Sequence, residues 1–313
     1  PADAAALHTT VATTTVMLPA AGDPVAAYLD IDAVIQAGVD AGCDAVHPGY
    51  GFLSENAEFA RRCAAAGMTF VGPSPEALDL FGDKLQARAL AAQLNIPTVP
   101  GSPTAVPTTD DAIAAAESIG YPVMLKAAAG GGGRGMRAVM EPGQLADAFE
   151  RCQSEARAAF GDGSVFLERL VVDPRHIEVQ VMADNTGAVV HFFERDCSVQ
   201  LRNQKVIEIA PAANLDPALR AQILADALTL VSGANYCNAG TVEFLIEPST
   251  GDYFFIECNP RIQVEHTITE QVMGTDLVQV QFRVAMGQSL ASLGLGDQAA
   301  VGEPRGWSVQ ARV

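Results

Sequence analysis

The chain has 313 residues, of which 49% are apolar and 18% charged, and its formal net charge is −18. That apolar content is enough to bury cores in one large domain or two to three packed subdomains, and it excludes global disorder. So acidic a surface repels a phosphate backbone, which argues against nucleic acid as a partner, and no run of about 20 apolar residues is present to cross a membrane.

The first ten residues lack the basic and apolar regions of a secretion signal. The chain starts at Pro1 rather than Met, and 307–313 alternate like a strand in mid-course, so a fragment of a longer protein is expected. Apolar periodicity predicts helices over 31–41 and 57–66 and short strands over 45–47 and 69–71, an α/β pattern with a parallel sheet. After Pro73 and Pro75, a helical pattern runs over 76–93, open to interruption at Gly82-Asp83. Pro97, Pro100, Pro103 and Pro107 mark a connector. A second block predicts helix 110–119, strand 122–126, a glycine run, strand 136–140, helix 142–160 and strand 165–171. The third block is richer in β. One hairpin pairs 177–184 with 188–195, turning at Asn185-Thr186-Gly187, and another pairs 240–247 with 253–259. Helices are expected over 217–232 and 277–287, and a strand at the end of the chain. Cysteines at 43, 63, 152, 197, 237 and 258 show no C-x-x-C spacing, which fits reduced, mostly buried thiols in a reducing compartment.

Three features carry chemistry. Lys126-Ala127-Ala128-Ala129-Gly130-Gly131-Gly132-Gly133-Arg134-Gly135 joins two strands. Glycines let backbone N–H groups approach phosphate oxygens, and Lys126 offers a point charge. This is not a P-loop, because G-x-x-x-x-G-K-[ST] is absent and no helix follows. The plain alternative is a flexible hairpin turn. Consecutive glycines are costly to order, so a lid that settles on nucleotide is the better reading.

Second, a hairpin centred on Thr250 pairs residues equidistant from it, which sets Glu243 opposite Glu257 among apolar neighbours. Like charges opposite one another destabilise a sheet. A divalent cation would resolve the repulsion, and Asn259 projects from the same face as Glu257. Two carboxylates and an amide oxygen suit Mg²⁺ or Mn²⁺. The alternative is a register slip that turns one Glu to solvent. Third, if Asn259-Pro260-Arg261-Ile262-Gln263-Val264-Glu265-His266 is extended, Arg261, Gln263 and Glu265 share a face. Arg261 can then hold an oxyanion and Glu265 can serve as a general base. A solvated edge strand is the alternative.

These segments, with His47-Pro48-Gly49-Tyr50-Gly51-Phe52-Leu53-Ser54-Glu55-Asn56, Gly82-Asp83-Lys84 and Glu194-Arg195-Asp196-Cys197-Ser198, resemble the biotin carboxylases over essentially the whole chain. The resemblance implies an α/β (α+β) ATP-grasp fold preceded by a partial N-terminal subdomain. The implied divisions are 1–73 for that subdomain, 74–97 for connecting helices, 98–171 for a lid with the glycine loop, and 172–313 for the catalytic subdomain and the start of a C-terminal region. It implies ATP binding by Lys84, Lys126, Gly131, Gly132, Gly133, Glu168, Arg169, Val171, His176 and Gln200, and metal binding by Glu243, Glu257 and Asn259. Lys205, Arg261, Gln263 and Val264 would hold bicarbonate, Glu265 would deprotonate it, and Arg312 would stabilise the biotin enolate.

The implied activity is ATP-dependent carboxylation of biotin through carboxyphosphate, in the cytoplasm, as the first half-reaction of an acyl-CoA or pyruvate carboxylase. The implied partners are a biotin carboxyl carrier domain or subunit, since no Ala-Met-Lys-Met motif is present, and a carboxyltransferase. A homodimer or larger assembly is implied, and residues 1–313 alone are expected to fold poorly or to be inactive. Leu201 and Asn203 stand where many members carry Arg and His. Another ATP-grasp carbon–nitrogen ligase, such as a carbamoyl-phosphate synthase-like unit, would share the glycine loop and the carboxylates. An inactive nucleotide-binding module is the remaining alternative. His47 is read as structural, Cys197 and Cys258 as packed thiols, and His8 and His191 as lacking an identifiable partner.

Overall fold

A computed structural model describes residues 3–19, 24–129 and 135–312. Near the N-terminus, β1 (Ala45–Val46) and β2 (Thr69–Phe70) pair in parallel, as the α/β pattern predicts. The helical stretch after Pro73 is two helices, Pro75–Gly82 and Lys84–Gln93. Asp83 separates them: its extended backbone ends the first, and its carboxylate caps the second by accepting from the N–H groups of Leu85 and Gln86 at 2.9 and 3.2 Å. Lys84 is therefore pinned as the first residue of a helix, and its N–H donates to Ala128 at the edge of the glycine run.

The lid sheet has the order β4 (Met136–Val139), β3 (Val123–Ala127), β5 (Val165–Arg169), all antiparallel. The glycine run thus joins neighbouring strands, as predicted, but Gly131, Gly132 and Gly133 lie outside the described residues. Helices Thr109–Ile119 and Leu145–Phe160 cover one face, where Ala112, Ala116, Leu125, Phe149 and Leu167 form a separate core. Strand alternation leaves Met124 and Lys126 of β3, opposite Glu168 and Phe166 of β5, on the other face.

The larger sheet runs β10 (Tyr253–Asn259), β9 (Asn238–Ile246), β6 (Arg175–Ala183), β7 (Val189–Leu201), β8 (Gln204–Ala210), β11 (Ser308–Ala311). The lower face is apolar: Ile177, Val179, Val242 and Phe244 pack on Ile223, Ala227 and Leu230 of helix Pro217–Gly233. Burial of each such side chain stabilises the fold by about 1.5–3 kcal/mol. Helix Leu277–Ala285 closes a further core against Met182, Val190 and Phe192. The polar face is left open to the lid.

Two local predictions are corrected. β8 escaped the sequence reading because its turn, Arg202-Asn203, contains no glycine; both residues nevertheless take left-handed backbone, with φ of 53° and 62°, as a two-residue hairpin needs. Residues 261–265 are not extended. They form a loop that turns into helix His266–Met273, whose first turn brings the Gln263 carbonyl to the His266 N–H.

His191 also has partners. Its Nδ1 accepts the Phe193 N–H at 3.3 Å, and its ring meets Phe193 edge-on at 5.0 Å. Burial pushes its pKa down from 6.5 to about 4. The unfolded chain then takes up a proton that the folded chain refuses. Stability is expected to fall by up to about 3 kcal/mol as pH drops from about 6.5 to about 4, and to level off below. Denaturation of wild type and His191→Gln across that window checks this: the wild-type curve should lose more, and parallel curves would refute it.

Candidate active site

One row of side chains organises the open face. Glu257 on β10 lies opposite Glu243 on β9, which lies opposite Glu178 on β6, which lies opposite Arg195 on β7. The Glu243–Glu257 pairing agrees with the sequence reading, but a β-bulge makes it so. Tyr253, Phe254 and Phe255 pair with Ile246, Leu245 and Phe244, and Ile256 is the extra residue before Glu257 meets Glu243. Were the register of Tyr253 to Phe255 carried on unbroken through Ile256, Glu257 would oppose Val242 on the apolar face.

The like-charge repulsion is answered first by side chains. Lys84 Nζ sits 2.5 Å from Glu257 Oε2. Lys205 Nζ contacts Glu178 and lies 2.9 Å from both Glu243 Oε1 and Glu265 Oε1. His176 Nε2 meets Glu243 Oε2 at 2.5 Å, and its Nδ1 meets Gln200 at 2.9 Å. Burial opposes ionisation of Glu243, but Lys205 and His176 outweigh it and hold the carboxyl well below its ordinary range. Burial likewise disfavours a charged Lys205, but Glu178 and Glu243 raise its pKa well above the ordinary value. Glu243, Glu257 and Asn259 remain a hard-oxygen donor set fit for a divalent ion, which would have to displace part of these contacts. Asn259 already donates to Glu243 Oε1 at 2.8 Å.

Arg195 is wholly buried. It donates to Glu178, Gln180, Thr269, Thr241 and Gln263 at 2.5–3.4 Å. A buried guanidinium so saturated is a rigid anchor. It orients Gln263, whose amide donates to Glu243 Oε1 at 2.9 Å. Arg261 reaches Glu55 at 2.6 Å and Asn259 at 3.0 Å. His47 is structural as expected: it bonds Gln281 at 3.1 Å and packs on Phe282, locking the segment that presents Glu55.

Two cavities meet along this row. The first, of about 310 Å³, lies between lid and sheet and is lined by Lys84, Lys126, Glu168, Arg169, Val171, His176 and Gln200 among others. Glu168 there pairs with both Lys126 and Arg88, and Arg169 grips Glu247 through two bonds of 2.8 and 2.9 Å. The second, of about 590 Å³, shares His176, Gln200, Asn203 and Glu257 with the first. It adds Lys205, Arg261, Gln263, Val264, Glu265 and Arg312. The loop over 261–265 therefore brings together the residues that an extended strand was expected to align.

Residues 83–293 match the family model of the carbamoyl-phosphate synthase L chain, ATP binding domain, and residues 1–78 match that of the biotin carboxylase, N-terminal domain. The structure is similar to a biotin carboxylase–β,γ-ATP complex from Campylobacter jejuni, with a TM-score of 0.95 and 42% identity, over 99% of this chain and 68% of that one. This chain belongs to the biotin carboxylase family. A second similar structure, at 40% identity and a TM-score of 0.94, is the biotin carboxylase domain dimer of Hydrogenobacter thermophilus 2-oxoglutarate carboxylase with MgADP, ADP and bicarbonate; 99% of this chain covers 67% of that one. Pyruvate carboxylase from Schizosaccharomyces pombe is 53% identical over 290 residues. That match takes in 93% of this chain but only 24% of the relative, so the chain spans about a quarter of the length of the curated relatives it matches.

In this biotin carboxylase chain, sequence reasoning missed Glu178, Arg195 and Arg88 as members of the site. The pairing of β6 with β9 places Glu178 in the carboxylate row, and only the tertiary fold brings Arg88 to Glu168. The signal available was Glu178 and Gln180 alternating with Ile177, Val179 and Val181, which marks one polar face of a strand. Among the described residues no helix is long and apolar enough to cross a membrane.

Proposed function

We propose that this chain carboxylates biotin with ATP and bicarbonate, through carboxyphosphate, as the first half-reaction of a pyruvate or acyl-CoA carboxylase. The observation that carries this reading is Glu265, a buried carboxylate held between Lys205 and Arg312 on the wall of a polar cavity that adjoins a second cavity bearing Lys84 and Lys126. The similarity to pyruvate carboxylases supports pyruvate as final acceptor.

In this reading Lys84 and Lys126 hold nucleotide phosphates, and Glu168, Arg169, Val171, His176 and Gln200 wall the nucleotide. Gly131, Gly132 and Gly133, which lie outside the described residues, belong to the same proposed nucleotide-binding set. Lys205, Arg261, Gln263 and Val264 seat bicarbonate. Glu265 takes its proton as the bicarbonate oxygen attacks the γ-phosphorus and the bond to the bridging oxygen breaks, releasing ADP. Carboxyphosphate yields CO₂ and phosphate, the phosphate takes the biotin N1′ proton, and Arg312 steadies the enolate that attacks CO₂. Glu243, Glu257 and Asn259 would hold Mg²⁺ or Mn²⁺, which supplies charge neutralisation at the phosphates when bound. A biotin carboxyl carrier domain or subunit delivers biotin, a carboxyltransferase receives the carboxyl group, and a homodimer or larger assembly is the working form.

The test is phosphate release from MgATP by the full-length protein, with and without bicarbonate and free biotin. Release that needs bicarbonate and rises with biotin supports the reading. Bicarbonate-dependent release indifferent to biotin points to another ATP-grasp ligase instead. Arg88 offers a separate check. Without it, buried Glu168 keeps Lys126 as its remaining cation and draws it from the phosphates. Arg88→Met is expected to raise the KM for ATP about ten-fold with a smaller change in kcat. An unchanged KM would contradict this.

A further inference from the structure

Glu208 is a fully buried carboxylate on β8, outside the row that joins Glu178, Glu243 and Glu257. Its Oε1 forms an ion pair with Arg312 Nε at 2.6 Å, and neither of its oxygens has a well-aligned hydrogen-bond donor. Burial pushes its carboxyl above the ordinary range, Arg312 opposes this, and Glu265 and Glu178 add to the push. Such a group contributes little to stability: desolvation costs several kcal/mol, and neither oxygen accepts a hydrogen bond. Its geometry has a different consequence. The Arg312 guanidinium binds Glu208 through Nε, and through Nη2 it donates to Glu265 Oε2 at 2.8 Å.

Arg312 needs such a hold. It follows β11, a strand of four residues that pairs, among the described residues, with β8, and its own N–H donates to the Val206 carbonyl at 2.8 Å. Its side chain is 36% exposed, so solvent competes for the guanidinium. The pairing of Gln310 with Glu208 sets Glu208 beneath the strand end and turns Arg312 inward.

We propose that Glu208 is a positioning residue that aims Arg312 across Glu265 at the biotin-facing side of the site. This deepens the proposed function and rests on it. Glu208 lines neither of the two cavities; it acts through Arg312. Its loss therefore falls on the biotin-dependent part of turnover more than on bicarbonate-dependent ATP cleavage, which depends on Lys205 and Glu265.

Phosphate release is measured in full-length wild type, Glu208→Gln and Glu208→Asp, with bicarbonate alone and with free biotin added. For Glu208→Gln, the biotin-stimulated rate is expected to fall about ten-fold more than the bicarbonate-only rate. The thermal midpoint should hold or rise, because an orphaned buried charge is gone. Glu208→Asp, which keeps the charge, should regain part of the stimulation. In an Arg312→Met background, Glu208→Gln should add no further loss. An equal fall in both rates, full additivity with Arg312→Met, or no rescue by Asp overturns the proposal while leaving the function intact. A wild type indifferent to biotin, whether or not its phosphate release needs bicarbonate, overturns the functional reading and the proposal with it.

Discussion

Glu265→Gln is expected to lower bicarbonate-dependent phosphate release by about 10²–10⁴-fold, the range associated with a positioned general base. The amide is isosteric and can still accept from Arg312 Nη2, now 2.8 Å from Oε2, so the local geometry survives. What it cannot do is take a proton at neutral pH. The fold should tolerate the change, because Lys205 keeps Glu178 and Glu243 as partners. Nucleotide binding depends on the neighbouring cavity and is expected to change little. Steady-state phosphate release beside nucleotide titration separates the two effects. A rate within about two-fold of wild type would remove Glu265 from the base role.

Lys205→Met attacks stability and chemistry together. One ammonium balances three buried carboxylates, Glu178, Glu243 and Glu265. Removing it leaves buried negative charge uncompensated, which costs about 3–5 kcal/mol. The sign with pH follows from the shifts. Glu178 and Glu243 sit below their ordinary value of 4.5 in the folded chain, so they contribute stability above about that pH and lose it as pH falls through their folded values. Lys205 sits above 10.5, so its contribution is complete below that value and is lost as pH rises through its folded value. The gap between wild type and Lys205→Met should therefore be widest between about pH 5 and 10 and should narrow in acid. Denaturant unfolding at several pH values measures it. A gap that does not narrow as the carboxylates protonate would mean that Lys205 stabilises through packing.

How much was legible in the sequence depended on the range of the interaction. The paired glutamates, the Asp83 interruption and the strand-to-strand glycine run could be read because each is encoded within about 20 residues by turn chemistry and alternation. Arg195 could be seen only as part of a marker. Its five partners come from β6, β9, the 261–265 loop and the helix after it, and no local pattern encodes that convergence. The metal argument was incomplete for the same reason. Lys84 lies 173 residues from Glu257 and Lys205 lies 38 from Glu243, so a purely local reading found repulsion and called for an ion. The 261–265 segment shows the opposite case. Its alternating polar residues mimic a strand, while its convergence on the cavity comes from a loop held by Arg195 and Glu55.

The single extra residue at Ile256 also determines which changes of length the β9–β10 hairpin can survive. Residues added or removed among 248–252 fall beyond the last pair, Tyr253 with Ile246, and leave the spacing from Phe255 to Glu257 untouched. Deletion of Ile256 alone closes the bulge and sets Glu257 directly after Phe255, still opposite Glu243 in a continuous ladder. The hairpin can therefore change length at its tip, or shed Ile256, with Glu257 still facing Glu243, because the bulge holds one residue of slack in the count.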